Sequence, residues 1–225
     1  MLQSKSKKIL NYLILFLILG TYNNKNFYKL NFPKIDSISI KGLDEKNNFQ
    51  LANKLIFLKG NNLFLLKKKE IVQIINTNSL VEKYSVFKIY PSSLDIKIDK
   101  TKFLAQLNKN NDTFLLGSNG KLTKINGNKK RSLPFIFGDF EISDFSELTK
   151  IINETNFNYD EIKNLFYFKS GRWDIETNLG ILIKLPKNDI KKSLDTSVNL
   201  IAQDFQKKIK IIDLRQTNQI IINDR

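Results

Sequence analysis

The first hydrophobic feature of the chain is a run: from residue 9 to residue 22 only Asn11, Gly20 and Thr21 interrupt Leu, Ile, Phe and Tyr. No second run of that kind follows; apolar positions instead alternate or recur at helical spacing. Fourteen residues at about 1.5 Å each fall short of a hydrocarbon core of about 30 Å, so two readings stand. One is a cleaved signal peptide. The other is a retained membrane anchor over residues 9–24, with local thinning and an interfacial Tyr22 covering the mismatch. The segment Thr21-Tyr22-Asn23-Asn24 offers no small-x-small cleavage site, which favours the anchor. Lys5, Lys7 and Lys8 precede the run. The positive-inside bias then keeps residues 1–8 cytoplasmic and puts the bulk of the chain on the other side.

Residues 32–101 read as a first domain. Ile38 and Ile40 alternate with Ser37 and Ser39 in a strand that Gly42 ends. Phe49, Ala52, Leu55 and Ile56 recur at helical spacing after Asn47 or Asn48 as N-cap, and Gly60 sits where a left-handed C-cap belongs. A second short helix is expected to turn Ile71, Ile74 and Ile75 inward. Residues 81–89 are β-rich up to Tyr90-Pro91, and Leu94, Ile96 and Ile98 alternate with Asp95, Lys97 and Asp99. The order is β-α-α-β-β.

Residues 102–225 read as a second, antiparallel β domain with flanking helices, which makes the chain α+β. Short strands are expected at 104–107 and 114–116, with a Ser118-Asn119-Gly120 turn into a third, and the segment closes on Leu133-Pro134-Phe135-Ile136-Phe137-Gly138. Asp144 and Glu147 have capping-box spacing ahead of Leu148, Ile151 and Ile152. Trp173, Ile175, Ile181, Ile183 and Leu185 describe a hairpin through Asn178 to Gly180, with Trp173 inward. Ile190, Leu194, Val198, Ile201 and Phe205 form one stripe of a long amphipathic helix. Residues 209–214 and 220–222 give a closing strand pair, or one strand broken near Thr217.

The chemistry open to this chain is narrow. It has no Cys and no His, which removes thiol nucleophiles, disulfides, imidazole bases and thiolate or imidazole zinc sites. A Ser-x-x-Lys string occurs at Ser118–Lys121, but its Gly-Ser-Asn-Gly setting is turn chemistry. No cofactor, small-molecule substrate or nucleic acid is implied, and the chain reads as a non-enzyme. The net charge is +15, which suits anionic headgroups or acidic partners. Its densest cluster, Lys67-Lys68-Lys69, lies where a helix should start, a position the macrodipole disfavours for cations; a solvated face is the plain reading.

The element order of the first domain, with Gly60-Asn61-Asn62-Leu63-Phe64 and Tyr90-Pro91-Ser92-Ser93-Leu94-Asp95-Ile96-Lys97-Ile98, resembles a POTRA module. More narrowly, it resembles that of the bacterial division family FtsQ/DivIB. Asp99 and Lys100 match the family pattern, whereas Lys102 and Phe103 stand where a proline is expected. Further matches are Leu133 to Gly138, Gly171-Arg172-Trp173-Asp174-Ile175 with Leu179-Gly180-Ile181, and Ile212-Asp213-Leu214-Arg215. The order of these short strings carries the resemblance, which runs from residue 5 to 223.

The resemblance implies a bitopic inner-membrane scaffold of the division septum. It implies that a C-terminal strand accepts an added strand from small single-span partners, FtsB together with FtsL. The site would comprise Arg215, Gln216, Thr217, Asn218, Gln219, Ile220, Ile221 and Ile222, with Ile220 and Ile222 filling partner pockets and Arg215 selecting an acidic group. From the residues alone, Asp213 and Arg215 share a strand face and pair with each other or with neighbouring strands. Two other readings stay open: a POTRA-bearing protein of outer-membrane assembly or secretion that binds client chains, and an anchored domain with a lipid-binding surface. The eight-residue tip is shorter than in many family members, which puts contacts on the cytoplasmic side in doubt.

Overall fold

The computed structural model of the chain describes residues 3–22, 33–125, 132–203, 208–216 and 219–223. Helix α1, Gln3–Tyr22, is solvent-exposed on every side from Lys7 to Thr21. No helix among the described residues is long and apolar enough to cross a membrane. The lysines of the first turns leave too short an apolar stretch.

A small unit follows, with a three-stranded sheet under two helices. Its elements are β1 (Ser37–Lys41), α2 (Glu45–Lys54), a 3-10 turn (Ile56–Leu58), α3 (Lys68–Asn76), β2 (Val81–Ile89) and β3 (Ser93–Lys100). The sheet order is β1-β3-β2, with β1 parallel and β2 antiparallel to the central strand. Leu94, Ile96 and Ile98 meet Leu51, Leu55, Leu58, Ile71 and Ile75 in one core.

Two details of α2 differ from the sequence reading. Its N-cap is Asp44, whose carboxylate accepts the Asn47 N–H at 3.1 Å. Asn48 instead ties down Leu43, donating to its carbonyl and accepting its N–H. The buried stripe is Leu51, Leu55 and Leu58, while Phe49 and Ile56 face solvent. Leu51, Leu55 and Leu58 stand at i, i+4 and i+7, one face that runs from the helix into the 3-10 turn after it.

The large unit is a nine-stranded sheet with order β12-β11-β10-β9-β8-β7-β4-β5-β6. Its strands are β4 (Phe103–Lys109), β5 (Asp112–Gly117), β6 (Leu122–Lys124), β7 (Phe135–Phe137), β8 (Ile162–Phe168), β9 (Arg172–Thr177), β10 (Leu182–Lys184), β11 (Ile211–Asp213) and β12 (Ile221–Asn223). Helices α4 (Ile142–Asn153) and α5 (Ile190–Gln203) bury Phe145, Leu148, Ile152 and Leu194 in the same core as Trp173. Phe205, the last residue of the expected α5 stripe, lies outside the described residues.

The sheet is mixed, which corrects the all-antiparallel expectation. The pairs β4–β7, β7–β8 and β10–β11 are parallel. Two of these are joined by α4 and α5, the crossover helices that parallel neighbours require. Strand β8 is an element that the sequence reading missed. In α4 the cap is Glu141, whose N–H donates to the Asp144 carboxylate at 3.1 Å, so Asp144 is the third helical residue and not the cap.

The β5–β6 turn is the junction between the two units. The Asn119 side-chain amide donates to the Ser79 and Val81 carbonyls at 3.0 and 2.8 Å. Lys121 Nζ donates to the carbonyl of Asn76, the last residue of α3, at 2.6 Å. Ser118 and Thr101 hydroxyls both donate to the Glu82 carboxylate. The Ser-x-x-Lys string is therefore a structural clamp.

Candidate functional site

The large sheet ends on β12, which pairs with β11 on one side and with no other strand among the described residues. Registers across the sheet align one residue per strand in a transverse row: Leu107, Ile136, Leu165, Ile175, Ile183, Ile212 and Ile222. From Ile136 to Ile212 these side chains are 0–3% exposed, but Ile222 is 46% exposed. The hydrophobic row thus runs past its cover. Ile220 and Ile221 beside it are exposed as well. A groove borders this edge, lined by Lys192, Ser193 and Thr196 of α5 and by Gln216, Gln219 and Ile220.

Next to the apolar row runs a charged one. Asp174, Lys184 and Asp213 are consecutive partners across β9, β10 and β11, and Arg172 and Arg215 flank them. Arg215 donates from Nε to Asp213 Oδ1 at 2.8 Å and from Nη2 to Oδ2 at 2.5 Å. Those bonds hold the Asp213 carboxyl below its ordinary pKa and raise that of Arg215. Asp174 moves the other way, because burial outweighs its single bond from Arg172 Nε at 3.2 Å. The Gly171–Ile175 and Ile212–Arg215 strings, far apart in sequence, thus meet on one face of the sheet.

The expected site residues separate into three groups. Arg215 is bound to Asp213, which places its guanidinium in a structural pair. Gln216, Gln219 and Ile220 form the exposed link, with the Gln219 N–H donating to the Gln216 carbonyl at 3.4 Å; Thr217 and Asn218 lie outside the described residues. Only Ile221 and Ile222 of the expected stretch are in β12, which Asn223 completes. The pair β11–β12 is antiparallel, and none of Gln216, Gln219 and Ile220 lies in a strand. Lys192, Ser193 and Thr196 were not anticipated, since the α5 stripe drew attention only to its buried face. No group of three or more acidic residues able to hold a metal ion occurs among the described residues.

Comparison with known proteins shows what this chain is similar to. The model of "Cell division protein FtsQ/DivIB, C-terminal" matches residues 105–215, ending just before the link to β12. The cell division protein DivIB of Clostridium botulinum strain Hall is 28% identical over 233 residues, covering 93% of this chain and 88% of that protein. The cell division protein FtsQ of Rickettsia bellii is 24% identical over 191 residues, covering 84% and 72%. Among solved structures, the major extracytoplasmic domain of DivIB from Geobacillus stearothermophilus is 19% identical, with a TM-score of 0.35, covering 45% of this chain and 92% of that one. The family model identifies residues 105–215 as an FtsQ/DivIB C-terminal domain, and relatives aligned over most of their length make the chain as a whole similar to the FtsQ/DivIB cell division proteins.

Proposed function

We propose that this protein is a scaffold of the division septum, held in the inner membrane by α1, which links other division proteins by accepting a β-strand on β12. The observation that carries the reading is the open edge at β12, where Ile222 continues a buried row into solvent. An unpaired edge presents backbone donors and acceptors to an incoming chain, and alternate side chains supply pockets. An added strand would extend the row beyond Ile222 and cover it. The Asp213–Arg215 pair holds the strand next to the edge and so presents β12, and Arg215 and Lys192, both lining the bordering groove, select an acidic group on the partner. FtsB- and FtsL-type proteins are the proposed partners. The anchor rests on the apolar run, with residues 1–8 cytoplasmic and the POTRA-like small unit and large unit periplasmic. The family match over residues 105–215 favours this reading over an outer-membrane assembly protein.

The test is capture of the outer segments of FtsB and FtsL by the full chain in lipid nanodiscs, comparing wild type with Ile221→Pro. Proline removes a backbone N–H and its ring clashes with a paired neighbour. Capture by wild type and loss in a variant whose Trp173 emission shows a folded large unit is the expected result. Equal capture by both would sink strand addition at β12.

A further inference from the structure

The small unit has two distinct ends. One end, with the C-terminus of α3 and the start of β2, is held by the Ser118–Lys121 clamp. The opposite end receives the chain coming from α1: the Ile35 N–H donates to the Asn61 carbonyl at 2.9 Å, and Lys34 bridges Asn62. Eleven peptide steps separate Tyr22 from Pro33 and can span at most about 40 Å. That end therefore stays close to whatever surface α1 occupies.

It also has an unusual surface. Ile56, Phe57, Phe64, Leu65, Ile89 and Tyr90 are all 50–77% exposed there. The Phe64 and Tyr90 rings lie 4.8 Å apart, and the Asn62 side-chain oxygen accepts the Phe64 N–H at 2.8 Å, so the projecting loop is built. Around it stand Lys34, Lys59, Lys67, Lys68, Lys69 and Lys88, all exposed except the half-buried Lys88. Lys88 Nζ reaches the Phe64 carbonyl at 3.2 Å. The acidic residues at this end are Asp36 and Glu70. Three of the lysines sit at the start of α3, where the helix dipole opposes positive charge. That placement costs helix stability, which Glu70 in the first turn offsets in part and an anion outside the protein would offset further. Apolar tips with aromatic rings and a basic collar are what an interface of headgroups and acyl chains accommodates, lysine stems lying along it with their ammonium groups at the phosphates.

Resting on the reading of α1 as an anchor, we propose that this end of the small unit, led by Phe64, Leu65 and Tyr90 and collared by Lys59, Lys67, Lys68 and Lys69, sits on the anionic lipid surface of the same bilayer. The clamp then directs the large unit and its β12 edge away from the membrane. The contact gives the tethered protein a fixed attitude instead of free rotation about the linker.

The absence of cysteine makes single-site labelling clean. Spin labels at Leu15→Cys in α1, Leu65→Cys at the tip and Ser170→Cys in the distant β8–β9 turn are placed on the full chain in nanodiscs. The lipids are phosphatidylcholine alone or mixed with phosphatidylglycerol, and collision with oxygen is compared with collision with a nickel chelate. The expected result is a bilayer signal at 15 in both lipids and an aqueous signal at 170. At 65, headgroup depth should occur only with phosphatidylglycerol and should be lost when Lys67→Glu, Lys68→Glu and Lys69→Glu are combined. Those substitutions favour the α3 start, so folding is not at risk. A buried label at 15 with an aqueous label at 65 overturns the contact and leaves the anchor intact. Immersion at 65 that ignores both lipid charge and the triple variant overturns the anionic recognition. An aqueous label at 15 removes the anchor reading and this proposal with it.

Discussion

Two aspartates separated by a single strand behave oppositely, and the difference lies in what each can reach. Asp213 is gripped by Arg215 through both carboxylate oxygens and its pKa is lowered, whereas Asp174 is buried against one longer bond and its pKa is raised. The stability that Asp213 contributes is present above the unfolded carboxylate range near pH 4, and is lost as pH falls through the lower folded value. Asp213→Asn should therefore cost roughly 1.5–3 kcal/mol at neutral pH, the range for a hydrogen bond to a charged group. The loss should shrink as pH is lowered toward about 3. For Asp174 the unfolded state releases its proton first, so wild type loses stability as pH rises through the two values. Asp174→Asn should then become more favourable relative to wild type with rising pH. Urea unfolding across that range measures both, and parallel pH profiles for the two variants would contradict the assignment.

The β5–β6 hairpin shows how an element legible in sequence hides its purpose. Its Gly-Ser-Asn-Gly string announced a turn, and the turn is there, but nothing local reveals that Asn119 bonds to Ser79 and Val81, some forty residues earlier. The same limit accounts for the other differences. Alternation located most strands of the large sheet but says nothing of direction, and the parallel pairs came from crossovers that only the intervening helices hinted at. Strand β8 ends in Leu165-Phe166-Tyr167-Phe168, which lacks a period because both faces take large residues: Tyr167 packs near Trp173 and Phe166 stacks on Phe137. At the C-terminus the pattern allows a closing strand pair or one broken strand, and only the registers of six neighbouring strands decide that Ile222 extends a buried row. Lys121 at the end of α3 adds a cation where the dipole favours one. Asn119→Ala removes two donors from partly buried carbonyls and should cost about 1–3 kcal/mol. Amide exchange around residues 78–82 should accelerate while that of β9 and β10 stays as in wild type; uniform acceleration would mean that the hairpin supports the whole sheet instead.

At the scale of the molecule, the two hydrophobic cores share no buried residue, and their junction is built from side-chain amides, hydroxyls, Lys121 and Glu82. Polar junctions of this kind couple neighbours weakly compared with a continuous core. On the proposed reading that division is useful, since a small unit resting on lipid and a large unit accepting a strand could each respond to its own contacts. The separation has a direct thermodynamic consequence. Leu94 is fully buried in the centre of the small sheet, so Leu94→Ala should remove about 2–5 kcal/mol from that unit. A lone unit of its size has a total stability of the same order. Trp173 is the single tryptophan and lies in the core of the large unit, which makes its emission a reporter of that unit alone. In urea, the variant should lose part of its far-ultraviolet signal at low denaturant while the Trp173 transition keeps its wild-type midpoint. Two separated transitions would establish independent folding, and would mean that the β11–β12 edge outlasts melting of the small unit. If the Trp173 midpoint fell together with the far-ultraviolet signal, the clamp would be transmitting the damage, and the two cores would have to be treated as one cooperative structure.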